Sequence, residues 1–229
     1  MEEGTATERR AWVIRSGRPP RALAGEVDER ILDAARKVFL ERGFEGASVD
    51  EIADAARAGK PTIYARFPGK EALFTAVMAR HVGEVTGSYE TIAPTGAKIE
   101  ERLASIATAI LGKILTAETV GLVRATIAEA RRFPDLASNV HRMARERGTQ
   151  AVAQLLSELS QPDEMRTLPA FAAERRPATA QYFTELIVLP LLMRALFGED
   201  LTALRAEIGP HVARTVAFFL AACRHGGVD

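Results

Sequence analysis

Between Arg57 and Lys70 the chain reads RAGKPTIYARFPGK, with Arg57, Lys60, Arg66 and Lys70 as cations and no Asp or Glu, a local charge of +4. The Thr62 hydroxyl and the Tyr64 phenol stand among them. Ammonium, guanidinium and hydroxyl donors crowded on a short segment are chemistry for holding a polyanion, since each can donate to a phosphate oxygen. They are not chemistry for breaking bonds. The histidines, His81, His141, His211 and His225, show no metal-ligand spacing, and HExxH, a phosphate-cradling glycine loop and a nucleophile–base signature are all missing. Glu129, Arg131, Arg132 and Asp135 read as a solvated charged face. The sequence therefore predicts no catalytic residue, no metal and no cofactor. Whole-chain charge conceals the patch, because 30 Lys and Arg balance 30 Asp and Glu over 229 residues.

A hydrophobic share of 47% and a charged share of 26% belong to an ordinary globular chain with enough length to bury a core. A single cysteine, Cys223, excludes an internal disulfide framework and reads as a small buried hydrophobe in a reducing compartment. MEEGTATERR lacks the apolar core of a signal peptide, and the longest apolar run, Leu186–Met193, contains Pro190 and is too short to span a bilayer. The expected location is the cytoplasm, with no membrane partner.

The elements that must position the cations are helices. Residues 1–27 read as a flexible basic arm in which Arg9, Arg10, Arg15, Arg18 and Arg21 are uninterrupted by an acid. A first helix is expected over 28–42, with Ile31, Ala35, Val38 and Phe39 as its apolar stripe, Gly43 as a left-handed stop and Phe44 folding back. Ser48 and Glu51 form a capping-box pattern for a second helix ending near Ala56. A third, 60–66, opens on Lys60-Pro61 and is broken by Phe67-Pro68-Gly69. Proline suits a helix's first turn because its missing N–H would have had no partner there. Longer helices follow over about 70–89, through Ile99, Leu103, Ile106, Ile110 and Ile114, over about 117–132, and from Leu136 to Leu159 with Asp135 as a cap. A proline-bearing connection spans 161–177, and the last two helices cover about 178–197 and 200–223, with a kink or break expected at Pro190 and at Pro210.

Three short helices joined by tight turns form a helix-turn-helix unit over 28–72, whose third helix would enter a major groove tip first. Pro61 would present an apolar face to a thymine methyl group. Ile31–Phe74 strongly resembles the N-terminal domain of the tetracycline-repressor (TetR) family of bacterial transcription regulators: helix, Gly-Phe, capped short helix, turn, Thr-Ile-Tyr, aromatic, Gly-Lys-Glu-Ala-Leu. Leu122–Ala137 looks like one subgroup of the family's C-terminal bodies. Three positions depart from the common pattern: Arg57 stands where the turn usually has glycine, Gly59 where the cap is often serine, and Arg66 where histidine is common. Arg57 is harmless if the backbone there is not left-handed.

The resemblance implies an all-α protein with a larger ligand-sensing and dimerising body over 73–229. It implies that Lys60, Pro61 and Thr62 face bases, and that Tyr64, Arg66, Lys70 and Ser48 contact phosphates. For Tyr64 a core aromatic with its hydroxyl in water is the other reading, and for Ser48 the plain helix cap. Arg18, within RSGRPPR, would lie in the minor groove or simply be solvated. Leu186–Met193 and Val216–Leu220 are apolar on more than one face, which fits a homodimer through the last two helices. His81, Tyr89, Arg124, His141, Met143 and Phe183 are the candidates for a pocket holding an unknown small-molecule effector. The implied function is a ligand-responsive repressor of a near-palindromic DNA operator. An activator or architectural DNA-binding protein without a ligand, and an all-helical enzyme, are the alternatives.

Overall fold

The computed structural model describes residues 21–159 and 168–224, and their regular structure is helical throughout. The elements are α1 (Arg21–Gly46), α2 (Val49–Ala56), α3 (Lys60–Tyr64), α4 (Lys70–Gly87), α5 (Ile99–Ile114), α6 (Ala117–Glu129), α7 (Pro134–Glu158), α8 (Arg176–Leu196), α9 (Leu201–Ala206) and α10 (Ile208–Arg224). Short 3₁₀ turns occupy Ser88–Thr91 and Pro169–Phe171. The architecture is an N-terminal helix-turn-helix head on a larger helical body. Among the described residues no single helix is long and apolar enough to cross a membrane.

α1 begins well before the expected Asp28, because Arg21–Val27 contains good helix formers and Gly25 alone does not stop them. At its other end Gly43 takes φ 70° and bends the chain. That turn folds Phe44 inward, as its spacing predicted. The Phe44 ring stacks on Phe39 at 6.0 Å and meets Phe74 edge-on at 5.2 Å, while Phe39 and Phe74 meet edge-on at 5.0 Å. Phe133, at the entry of α7, closes the cluster against Phe44 at 5.4 Å.

The head therefore does not finish its core alone. Ile31, Val38, Ile52 and Ile63 share one buried cluster with Leu73 and Val77 of α4, and Leu122, Leu136 and Val140 of the body join them. The expected boundary between residues 72 and 73 falls inside α4, one continuous helix. The body has its own core, in which α7 lies along α8 and α4, and α5 along α10. Cys223 is buried there, and burial pushes its thiol up to about 11.

Four local readings need correction. Asp135 does not cap α7, which starts on Pro134 with Phe133 as its N-cap residue. The capping box of α2 is half formed: Ser48 Oγ accepts from the Glu51 N–H at 3.1 Å, but the Glu51 carboxylate turns to Arg42. Pro190 does not end α8, which runs through it with the ring on an exposed face. The break expected at Pro210 comes three residues earlier, at Glu207, because the ring has no N–H for the carbonyl one turn before it. Inside the irregular connection, Leu168, Ala170 and Phe171 are buried, and Phe171 meets Phe219 edge-on at 6.2 Å.

Phe44→Ala should empty the joint between head and body and lower the unfolding free energy by about 3–5 kcal/mol. Urea denaturation followed by far-UV circular dichroism measures this. A loss under about 1 kcal/mol would mean that the cluster does not hold the joint.

Candidate nucleic-acid interface

α3 is only five residues long, and one face of it is core. Ile63 is 1% exposed and Tyr64 50%. Lys60 and Pro61 are exposed and Thr62 is half-buried. Gly59, the N-cap, is extended and offers no side chain to the first turn; its carbonyl accepts from the Thr62 and Ile63 N–H groups at 2.9 and 3.2 Å, and Pro61 has no N–H to satisfy. The Tyr64 ring is thus not a core aromatic. Ser48 is exposed at the start of α2 with its hydroxyl already on the Glu51 N–H, so the cap exists and the oxygen keeps one further lone pair. Arg18 lies outside the described residues.

The cations are less free than their spacing suggested. Lys60 Nζ stands 2.6 Å from Asp50 Oδ2, and that hydrogen-bonded carboxylate holds the ammonium above the ordinary lysine range. Arg66 Nε is hydrogen-bonded to Asp28 of α1, and its Nη1 donates to the Thr62 carbonyl at 3.2 Å. Lys70 Nζ donates to the carbonyls of Glu45 and Ala47 at 3.1 and 3.0 Å and lies 4.6 Å over the Phe44 ring. It stitches the end of α1 to the start of α4, with one N–H left over. Arg66 and Lys70, both expected to contact phosphates, thus already have partners that seat α3 and α4 on α1.

Arg57 is also corrected. It sits at φ 49° and ψ 45°, in the left-handed region, as the C-cap of α2. A non-glycine residue there costs about 1 kcal/mol or more. Its side chain is exposed.

The six pocket candidates do not converge on one cavity. Tyr89 borders a small enclosed space of about 40 Å³ with Thr86, Ala151, Gln154 and Leu155, and none of the other five lines it. Burial pushes the Tyr89 phenol well above its usual range. Phe183 packs against Phe219 at 5.0 Å in the body core. Arg124 Nε donates to the Leu196 carbonyl at 3.1 Å and ties α6 to the end of α8. His141 is exposed, and Met143 leans on the head's core.

His81 belongs instead to a polar cluster between helices. Its Nε2 is 3.0 Å from Thr119 Oγ1, and its Nδ1 is 3.8 Å from Glu118 Oε1. Arg36, on α1, donates to Glu84 of α4 at 2.9 Å and to Glu118 of α6 at 2.8 Å. Arg80, on α4, reaches back to Glu29 and Asp33 of α1. Burial opposes the Arg36 charge, but the Glu118 and Glu84 carboxylates outweigh it and raise the guanidinium above its ordinary value. These pairs cross between head and body on three helices. No residue spacing marks them, because each partner lies on a different element.

The chain matches the family model of bacterial regulatory proteins, tetR family, over residues 31–77. Residues 101–224 match the model of the AefR-like transcriptional repressor C-terminal domain. The chain is 30% identical to the solved structure of the flavonoid-responsive regulator FrrA, covering 87% of this chain and 97% of that one with a TM-score of 0.64. A TetR-family regulator structure from Mesorhizobium loti shares the fold at a TM-score of 0.73 and 24% identity, over 87% of this chain and 97% of that one. Among curated relatives, the transcriptional activator FasR of Mycolicibacterium smegmatis is 39% identical over 79 residues, 33% of this chain and 36% of its own length. The transcriptional repressor ComR of Escherichia coli is 39% identical over 59 residues, 26% of this chain and 28% of its own length. These curated matches span about a third of each relative.

His81 supplies a pH test of the cluster. Burial is the first cause that lowers its pKa below the ordinary imidazole value; Arg36 adds to this, and Glu118 and Glu84 oppose it. The unfolded chain takes up the proton near pH 6.5 while the folded chain resists. This contribution to stability is therefore complete above about pH 6.5 and is lost as pH falls through the depressed folded value. His81→Gln, which can still reach Thr119, should flatten the drop in urea midpoint between neutral pH and about pH 5. An unchanged drop would assign the acid sensitivity to other groups.

Proposed function

The chain belongs to the TetR family of bacterial transcriptional regulators, and on that footing we propose that it is a ligand-responsive repressor that binds a near-palindromic DNA operator as a homodimer. The observation that carries the DNA reading is α3 itself, a helix that buries Ile63 alone and turns Lys60, Pro61 and Tyr64 outward around its N-terminus. That tip is small, positive and rich in donors, as a major-groove probe must be. Lys60, Pro61 and Thr62 face the bases in this reading. Tyr64 and Ser48 donate to phosphates, joined by the α2 N-terminus and the spare N–H of Lys70. Repression rather than activation is supported by the match of the body to the AefR-like repressor domain.

The dimer reading rests on exposed apolar area. Along α8, Tyr182, Leu189, Met193 and Phe197 are 48, 48, 44 and 84% exposed, with half-buried Leu186 between them. Their spacing of four, three, four and four puts them on one stripe. Phe218 of α10 is 65% exposed. Contiguous apolar rings and branches of this kind are what a two-fold partner covers, and the symmetry would set two α3 tips about 34 Å apart, one turn of duplex.

The effector reading rests on the head–body cluster. Arg36 is held by α4 and α6 together, so a shift of either changes where α1, and with it α3, sits. The space beside Tyr89, about 40 Å³, is too small for a drug-sized effector, so binding there would require the body to open. FrrA is a flavonoid-responsive regulator, so planar aromatic compounds are the first class to screen. Tenfold release requires about 1.4 kcal/mol of preference for the shifted state. The family's curated members are transcriptional regulators, and the enzyme alternative has no support among them.

Two experiments test this reading. Fragments selected from the source genome by the purified chain give the operator. The triple variant Lys60→Ala, Thr62→Ala and Tyr64→Ala should then lose specific binding in fluorescence anisotropy while remaining a folded dimer; retention of operator preference would move the reading head elsewhere. Leu189→Asp combined with Phe218→Asp should give a folded monomer in sedimentation velocity and weaken operator binding by at least about tenfold. A double variant that sediments as wild type would place the interface on another face.

A further inference from the structure

Beside the helix-turn-helix, α1 and the end of α2 leave an open groove of about 650 Å³. Its walls are Arg30, Asp33, Ala34 and Lys37 from α1, and Ala55, Ala56 and Arg57 from α2 and its cap. Three of the lining residues are alanine, with Ala34 and Ala56 buried, and three are cations. Asp33, the one acid, is engaged by the Arg80 guanidinium. Lys37 has a loose, exposed partner in Glu41 at 3.9 Å. Arg30 and Arg57 are exposed and make no side-chain hydrogen bond or ion pair with any described residue. The groove's available charge is therefore positive, and it lies on the turn that leads directly into α3.

This contrasts with the cations of the motif itself. Lys60 is on Asp50, Arg66 is on Asp28, and Lys70 is on two carbonyls. A phosphate that approached those three would have to displace or share an existing partner. At Arg57 and Arg30 it would not. Arg57 also holds a left-handed backbone at φ 49°, where glycine would be unstrained. The step closes the end of α2, with the Arg57 and Ala58 N–H groups on the Asp54 and Ala53 carbonyls at 3.2 and 3.0 Å, and a glycine could make the same closure while an arginine adds an exposed guanidinium.

We propose that this groove is a phosphate seat for the bound duplex, with Arg57 donating to a backbone phosphate flanking the base pairs that α3 reads and Arg30 and Lys37 extending the contact along the same strand. This rests on the DNA-binding reading above and adds residues to it. A guanidinium suits the task, since its planar fork can donate to two oxygens of one phosphate. Ala34, Ala55 and Ala56 keep the lining between these cations short, which allows the sugar–phosphate chain to come close. Such a contact orients the head without reading sequence, so it contributes to every duplex alike.

The test uses the full chain, its selected operator and a mixed-sequence duplex of equal length, with affinity measured by anisotropy over a salt series. Arg57→Gly should weaken binding to both duplexes by a similar factor, about five- to tenfold, and reduce the slope of log affinity against log salt by about 0.9. The same variant should melt no lower than wild type, because glycine relieves the left-handed strain. That pairing separates a lost contact from a damaged fold. Arg57→Lys should recover part of the affinity and the slope, and Arg30→Ala should add a further uniform loss. Unchanged affinity and slope in Arg57→Gly, or a loss confined to the operator, would overturn the phosphate seat. If the wild-type chain itself retained neither duplex, the DNA-binding reading would fail first.

Discussion

The contact on which the rest depends is the edge-on packing of Phe44 and Phe74, with Phe39 and Phe133 around them. Phe44 reaches that site only because Gly43 turns the end of α1 through a left-handed step. Once it is there, the α1 end is fixed, its last carbonyls face Lys70, and α4 starts where that ammonium can bond them. α2 and α3 are then suspended between two anchored helices. A head of three short helices has too little core to be rigid alone, and it borrows Leu122, Leu136 and Val140 from the body to complete it. The same packing ties the position of the head to that of the body.

The electrostatic layer above that core is organised differently. Arg36 and Arg80 are largely shielded, at 18 and 13% side-chain exposure, while their carboxylate partners stay half in water. Shared among α1, α4 and α6, these pairs carry little net stability, since desolvation and attraction nearly offset. What they define is orientation. Two guanidiniums with several carboxylates each can exchange partners at small cost, which apolar packing cannot do.

Much of this was legible in the sequence. Apolar residues at helical period marked the helices, Gly43 and Pro61 marked where the backbone had to change, and the alternation of buried Ile63 with exposed Tyr64 followed from the length of α3. The resemblance over Ile31–Phe74 was legible for the same reason: local motifs of cap, turn and aromatic are contiguous in the chain. What stayed hidden was pairing between distant elements. Nothing at Lys60, Arg66 or Lys70 announces Asp50, Asp28 or the carbonyls of Glu45 and Ala47, because side-chain partners are set by how helices stack. His81 was singled out as a pocket candidate, yet its partner Thr119 sits on another helix. The left-handed turn at Arg57 was hidden too, since arginine is not the residue that such a backbone prefers.

The Lys60–Asp50 pair bears on how a molecule of this kind searches. A cation that must let go of its own carboxylate before taking a phosphate exchanges one bond for another, so a chance encounter with duplex gains little from it. The gain comes only where neighbouring contacts also form. In the DNA-binding reading proposed above, such a side chain would shorten the dwell on wrong stretches and leave hopping fast.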